Sequence, residues 1–262
     1  AKLLPTPLRA PVRDVWRKIR GNPELHVLHL LSDPDKLALD IGANYGTYAY
    51  SLARRAKGCV AFEPNPRLAA LIEQKSRSEG LNIRVHACAL SDTVDEVQLS
   101  IPVVDGVEID ALATIEADNQ LSGAEIRRHV VPCRRLDDFP LDPVGVVKID
   151  AEGHELAVLR GATALIARDR PGFLVEVEER HKPGALDQIK GFFSDLGYEG
   201  FFLLGRRLRP IDEFDLARHQ DPSSVEMGEV LFDRVYVNNF VFAYDRERVD
   251  RLGHIARSGR SL

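Results

Sequence analysis

The sequence predicts an α/β protein built on a doubly wound, mostly parallel sheet that ends in antiparallel strands. Three observations carry this. Short apolar runs of strand length alternate with segments of helical periodicity. The first clear strand runs straight into a glycine-punctuated turn, Gly42 to Gly46, and then a helix. Towards the C-terminus, two short apolar runs flank Gly205-Arg206-Arg207, a hairpin signal. Alternating strands and helices call for a parallel sheet covered on both faces.

Taken in order, residues 1–36 read as a Pro-containing helical lead-in with a short helix over 23–31. Asn22 suits its N-cap and Pro23 its first turn. Leu37, Ala38, Leu39 and Ile41 make a buried strand over 37–43, followed by a helix over 47–56. A strand over 59–63 is stopped by Pro64-Asn65-Pro66, which starts a helix over 66–78. A third strand, 83–90, ends in Ser91-Asp92. The polar stretch 103–128 then interrupts the alternation and is long for a plain connection, so it reads as an insertion or lid.

Residues 129–136 read as a strand ahead of Asp137-Asp138-Phe139-Pro140. Alternation resumes with a strand over 144–149 and a helix over 155–166, whose Leu156, Leu159, Ala162 and Leu165/Ile166 share one face. A strand at 173–177 and a helix at 186–196, closed by Gly197, come next. A hairpin-like ribbon (199–204 and 208–211), a last strand (239–244) and a charged tail (245–260) read as a surface helix or frayed end complete the chain. Residues 37–262 are expected to form one domain.

The composition is that of a globular protein, 44% hydrophobic and 29% charged. A net charge of −5 argues against non-specific nucleic-acid binding. No run of 18 apolar residues is present, so no membrane span is expected. The N-terminus has no secretory apolar region and no initiator Met. Cys59, Cys88 and Cys133 are odd in number and far apart, and two of them fall in apolar strand patterns. Inert buried thiols and a cytoplasmic, reducing compartment fit them.

Chemistry concentrates in two places. The first is Asp40-Ile-Gly-Ala-Asn-Tyr-Gly46. A nicotinamide dinucleotide wants G-x-G-x-x-G for its pyrophosphate, and this turn has Gly42-x-x-x-Gly46 with a carboxylate, Asp40, just before it. S-adenosylmethionine (SAM) carries no phosphate. Asp40 suits its ammonium, while the backbone N–H groups from Gly42 to Gly46 and the Asn44 amide suit its carboxylate. Glu63 closes the next strand about 20 residues later, where an acidic residue takes ribose hydroxyls in nucleotide-binding α/β folds. Asp92 either accepts from the adenine amino group or caps its own turn.

The second place is Lys148-Ile-Asp-Ala-Glu-Gly-His154. Period-two alternation puts Lys148 and Asp150 on one strand face, with Glu152 and His154 in the turn that follows. Such a set at the ligand end of a sheet makes a candidate acid/base site, the alternative being a structural Lys148–Asp150 pair with Glu152 and His154 capping the helix. For methyl transfer to a hydroxyl, Asp150 is the first choice of base and His154 the second, with Lys148 orienting. Glu176 and Glu178 share one face of the next strand, where hydrogen bonding to acceptor hydroxyls is a simpler role than binding a divalent metal. No metal is expected. The Arg206-Arg207-Leu-Arg209 cluster reads as a solvated hairpin tip.

With these residues assembled, the chain resembles the FkbM family of SAM-dependent methyltransferases. The matching text is Leu-Asp-Ile-Gly-Ala-Asn-Tyr-Gly-Thr-Tyr (39–48), Phe-Glu-Pro-Asn-Pro (62–66), Ala-Leu-Ser-Asp (89–92), Leu-Asp-Asp-Phe (136–139) and the segment 147–162 beginning Val-Lys-Ile-Asp-Ala-Glu-Gly-His. The resemblance implies a seven-stranded Rossmann-like fold, SAM as methyl donor, and O-methylation of a sugar or natural-product hydroxyl. By match to the motifs, Asp40, Gly42, Asn44 and Gly46 line the methionine end, Glu63 takes the ribose, and Ala89, Leu90 and Asp92 neighbour adenine. Residues 148–152 border the methyl-transfer site. The expected partner is thus a small-molecule hydroxyl acceptor, a sugar or glycoside. A polyketide hydroxyl, a nitrogen acceptor and a non-catalytic SAM-binding module are the alternatives.

Overall fold

The structure, a computed structural model, describes residues 22–104, 107–109, 113–115, 125–226, 229–230, 235–259 and 261–262. Most of the expected lead-in and the tip of the 103–128 stretch lie outside the described residues. From Asn22 onward the chain enters α1 (Pro23–Leu31), and the Asn22 side chain accepts from the Glu24 and Leu25 N–H groups as an N-cap. Then come β1 (Leu37–Ile41), α2 (Thr47–Leu52), β2 (Gly58–Phe62), α3 (Pro66–Ser78) and β3 (Ile83–His86).

A second sheet follows, made of β4 (Ala89–Leu90), β5 (Asp95–Val104), β6 (Val107–Glu108) and β7 (Glu125–Arg134) in the order β4-β7-β5-β6. The main sheet resumes with β8 (Val144–Ile149), α4 (Glu155–Arg160), α5 (Thr163–Asp169), β9 (Gly172–Glu176), α6 (Ala185–Asp195), β10 (Glu199–Leu204) and β11 (Arg207–Pro210). A short α7 (Leu216–His219), the small pair β12 (Val225–Glu226) and β13 (Glu229–Val230), β14 (Asn239–Ala243) and α8 (Arg246–Ser258) end the chain.

The main sheet has the order β11-β10-β14-β9-β8-β1-β2-β3. It is parallel from β3 to β9 and antiparallel where β14 inserts between β9 and β10. The expected count of seven strands is corrected to eight, because β10 turns back at Gly205 (φ +60°) and pairs with β11. Two cores flank the sheet. Leu39, Ile41, Val147, Ile149, Phe173 and Val175 face α4, α5 and α6. Ala38, Val146, Leu174 and Val241 face α1, α2 and α8. That split is the period-two alternation of strands buried on both sides.

Three further differences from expectation have local causes. The strand expected over 83–90 divides: β3 stays in the main sheet, while Ala89 and Leu90 pair with Cys133 and Arg134 of β7. Asp95–Val104 is a full strand paired antiparallel with Glu125–Arg134, so both described ends of the polar stretch lie in one strand pair. The helix expected over 155–166 breaks at Gly161, where a Cβ would stand 1.9 Å from the Ser91 carbonyl oxygen. The Asp137 carboxylate then caps the new helix by accepting from the Ala164 and Leu165 N–H groups, both at 2.9 Å.

Candidate active site

The chain runs outward from β1 to β3 on one side of the sheet and from β8 onward on the other, so the topological switch lies between β1 and β8. In open α/β sheets the ligand crevice opens there, beyond the strands' C-terminal ends. The register pairs Asp40 with Lys148, and the Asp150 N–H donates to the Ile41 carbonyl at 3.0 Å. The two sequence constellations, more than a hundred residues apart, therefore meet.

On the β1–β2 side, backbone geometry dominates. Gly42 has φ +74°, and a Cβ there would stand 1.8 Å from the Asp150 carbonyl oxygen. Only glycine lets this turn lie against the end of β8. The Gly42 and Ala43 N–H groups both donate to the Phe62 carbonyl, at 2.9 and 3.1 Å. Asn44 takes the left-handed conformation (φ +50°), and Gly46 closes the turn at φ +78°. Glu63 is buried and accepts from the Asn44 N–H (2.7 Å) and the Asn65 N–H (2.8 Å). Its carboxylate thus clamps the turn to the end of β2. A carboxylate has about four acceptor positions, so the structural work is compatible with holding hydroxyls as well.

Asp40 is 0% exposed, and neither carboxylate oxygen has a hydrogen-bond partner of good geometry. Burial pushes it up to about 7, against the pull of the Lys148 ammonium and the Ala49 amide. An orphaned buried carboxylate is costly unless something satisfies it. A cationic ligand group at the switch point would do so. Together with the glycine cradle and Glu63, this set fits SAM.

On the β8–β9–β14 side, side chains dominate. Lys148 is 0% exposed, with Nζ 3.3 Å from Asp150 Oδ2 and 3.6 Å from Glu176 Oε2, over the Tyr48 ring. Burial alone would lower the ammonium. The Asp150, Glu176, Asp40 and Glu24 carboxylates overcome that and hold it above its usual range. Asn238 donates through Nδ2 to both Glu176 Oε1 and Glu178 Oε1. Tyr236 donates to Glu178 at 3.0 Å, and Arg180 pairs with the same carboxylate. Burial would raise Glu178, but His181 and Arg180 bring it down to about 2. Glu176 is instead pushed well above the carboxylate range by burial and by Asp150.

Of the residues expected from sequence, Lys148, Asp150, Glu176 and Glu178 come together in this wall. Glu152 adopts φ +49° and reaches the His181 ring at 3.3 Å. His154 goes elsewhere: its Nε2 lies 2.9 Å from Ser91 Oγ. Ala89 and Leu90 are buried in β4, and Asp92 is exposed and accepts from Ser91 Oγ.

Sequence reasoning missed Glu24, Tyr48, Tyr236, Asn238 and Asn239. Tyr48 donates to Glu24, which also accepts from Asn239 at 3.2 Å, and Asn239 donates to Asn238 at 3.0 Å. Tyr48 lay within the glycine-turn motif and was the one findable member. Glu155 was also missed as a scaffold. It is buried, is raised to about 7, and accepts from the Ala151 and Gly153 N–H groups, tying down the turn after Asp150.

A cavity of about 710 Å³ lies at the opposite end of the sheet, between α6, β10 and α8, lined by Lys190, Tyr198, Gly200 and Arg257 among others. It is remote from the crevice. Among the described residues no group of three or more His, Cys, Asp or Glu is arranged to hold a metal, and no helix is long and apolar enough to cross a membrane.

The methyltransferase FkbM domain model matches residues 40–199. The hexuronic acid methyltransferase AglP of Haloferax volcanii is 31% identical over 162 residues, 58% of this chain and 62% of that protein. The chain's match thus spans less than two thirds of that relative. The 2-O-methyltransferase NoeI of Sinorhizobium fredii is 28% identical over 169 residues, 59% of this chain and 69% of that protein. A solved methyltransferase FkbM from Methylobacillus flagellatus superposes with a TM-score of 0.49 and 17% identity, covering 83% of this chain and 50% of that one.

Proposed function

We propose that this chain, which belongs to the FkbM methyltransferase family, uses SAM to methylate a hydroxyl of a sugar or glycosylated small molecule. The observation that carries the reading is the orphaned Asp40 carboxylate beside the Asp150–Lys148–Glu176 group at the switch point. The polar wall of Asp150, Glu176, Glu178 and Asn238 suits a polyhydroxylated acceptor, and the sugar-directed names of the relatives point the same way.

SAM supplies an electrophilic methyl group on a sulfonium. In our reading Asp40 holds the cationic end of the cofactor, the Asn44 side-chain amide its carboxylate, and Glu63 its ribose. The Gly42, Ala43, Asn44 and Gly46 N–H groups are spent on Phe62, Glu63 and Ala43, so the expected backbone cradle for that carboxylate is not free. Asp150, 27% exposed, takes the acceptor proton as the hydroxyl begins to bond, an assistance of roughly 10²–10⁴-fold. Lys148 fixes the Asp150 carboxylate, and Glu176 and Glu178 align the acceptor. The hairpin of β5 and β7 acts as a lid, with the Thr114 hydroxyl donating to the Glu152 carbonyl at 3.1 Å. Three buried free cysteines and the net charge of −5 support a reducing, cytoplasmic setting and a partner other than nucleic acid.

Calorimetry with SAM and its demethylated product, coupled to labelled-methyl transfer, tests this. Asp40→Ala should lose SAM binding. Asp150→Asn should keep it while turnover on a sugar acceptor falls about 10²-fold or more. Binding without transfer to any hydroxyl acceptor would leave a SAM-binding module and sink the enzymatic reading.

A further inference from the structure

We propose that the acceptor is held as a vicinal diol: the hydroxyl to be methylated lies on Asp150, and the hydroxyl of the adjacent ring carbon lies on Glu176. The inference rests on the reading above, with the acceptor placed against the ends of β8 and β9. Ile149 pairs with Val175 in the parallel register, so Asp150 and Glu176 leave neighbouring strands at one level, about 4.8 Å apart. One buried ammonium joins them, with Lys148 Nζ 3.3 Å from Asp150 Oδ2 and 3.6 Å from Glu176 Oε2. The Asp150 and Glu176 side chains stay 27% and 23% exposed, while Lys148 is 0% exposed. Glu178 is 10% exposed and is engaged by Arg180, Tyr236 and Asn238. It acts on the acceptor through Asn238, which also donates to Glu176. Glu152 is turned to the His181 ring. Beside Lys148 the wall therefore opens to the crevice as a pair of carboxyl groups.

Two gauche hydroxyls on neighbouring ring carbons hold their oxygens about 2.8 Å apart, one hydrogen-bond length. Carboxyl groups on adjacent strands converge on such a pair, with one hydrogen bond to each oxygen. A lone hydroxyl meets only one of them. The other carboxyl would exchange its water for the carbon skeleton of the acceptor and gain no partner, a cost borne by acceptors that lack the second hydroxyl. Burial and the Asp150 charge keep a proton on Glu176, so its carboxyl both donates and accepts, as a hydroxyl does. The strand order decides which hydroxyl reacts. β8 lies between β9 and β1, so Asp150 stands on the side of Asp40 and the glycine turn, with Glu176 one strand farther away. The hydroxyl on Asp150 faces the cofactor half and passes its proton to that carboxylate as its oxygen takes the methyl group. Its neighbour on Glu176 keeps its proton and orients the ring.

The test uses the full chain and labelled SAM on methyl glycosides of the gluco, galacto and manno series. The position methylated on each parent sugar is mapped by NMR. Analogues deoxygenated at each carbon flanking that position, and separately at a carbon farther round the ring, are then compared with the parent. Loss of one flanking hydroxyl should lower kcat/KM at least about thirtyfold, and loss of a remote hydroxyl less than about threefold. Glu176→Leu, checked for SAM binding by calorimetry, should shrink the parent-to-deoxy ratio at least about tenfold, because the partner of that hydroxyl is gone. A merely structural Glu176 would depress parent and deoxy sugars alike and leave the ratio unmoved. A loss below about threefold at every flanking carbon, or a ratio unmoved in a Glu176→Leu chain that binds SAM, overturns the diol reading alone. The first of these results needs no variant, so a Glu176→Leu chain that fails to fold leaves the test standing. Transfer to none of the sugars by a chain that binds SAM overturns the sugar reading, and this inference with it.

Discussion

The two halves of the crevice are made of different materials. The half we assign to the cofactor, from β1 to the end of β2, is mostly backbone: Gly42 against the Asp150 carbonyl, paired N–H groups on Phe62, and one carboxylate, Glu63, tying two amides. The half we assign to the acceptor is mostly side chains drawn from α1, β8, β9 and the approach to β14. A backbone site is specified by which residues permit a conformation, and it has little room to vary. A side-chain site can be rebuilt by single substitutions while the scaffold stands. The halves should therefore fail differently when perturbed.

The largest effect is expected in the backbone half. Gly42→Ala puts a Cβ at 1.8 Å from a carbonyl oxygen in a left-handed conformation. It should lower stability by more than about 2 kcal/mol and abolish SAM binding together, read by thermal melting and calorimetry. A variant that melts normally and binds SAM would show that the turn is soft and that the contrast between halves is false.

In the side-chain half, Asn238→Ala removes the donor shared by Glu176 and Glu178. It should cost about ten- to thirtyfold in kcat/KM, with melting temperature and SAM affinity nearly unchanged. Loss of SAM affinity on this substitution would mean that the halves are coupled.

The smallest effect crosses the boundary through Asp40. Because burial raises its pKa to about 7, the carboxylate gains its charge as pH rises from 6 to 8. Affinity for the cationic cofactor should rise by up to about tenfold over that window, and Asp40→Asn should flatten the profile. The sign for the ligand-free fold is opposite. A pKa raised above the unfolded value of about 3.9 stabilises the fold below that pH, and the contribution is lost as pH climbs through 7.

Legibility in the sequence follows the same division. Asp40, Gly42, Gly46 and Glu63 could be read because a turn and a strand end announce themselves within a few residues. The helix Pro23–Leu31 appeared with its observed bounds because Asn22-Pro23 is a local signal. Lys148 and Asp150 were legible as alternate residues at the end of one strand, Asp150 standing just past β8. Glu24 and Asn239 were not, since 215 residues separate two polar side chains that meet only through the sheet order. The strand Asp95–Val104 hid because its exposed side carries charge and Pro102 interrupts its text. His154 looked like a base by spacing, but as the N-cap of α4 it is directed to Ser91, a partner that spacing alone does not reveal.

The insertion of β14 between β9 and β10 has a consequence in time. Ribosomes make a chain from its N-terminus, and its early parts fold as they emerge. The glycine turn, β2 and Glu63 are complete within the first 65 residues of this sequence, and the turn comes to rest against the end of β8. Asn238 and the strand that completes the acceptor wall arrive after β10 and β11, which must leave open the lane that β14 enters. A nascent chain would thus have the parts of the proposed cofactor cradle long before it has the complete wall proposed for an acceptor.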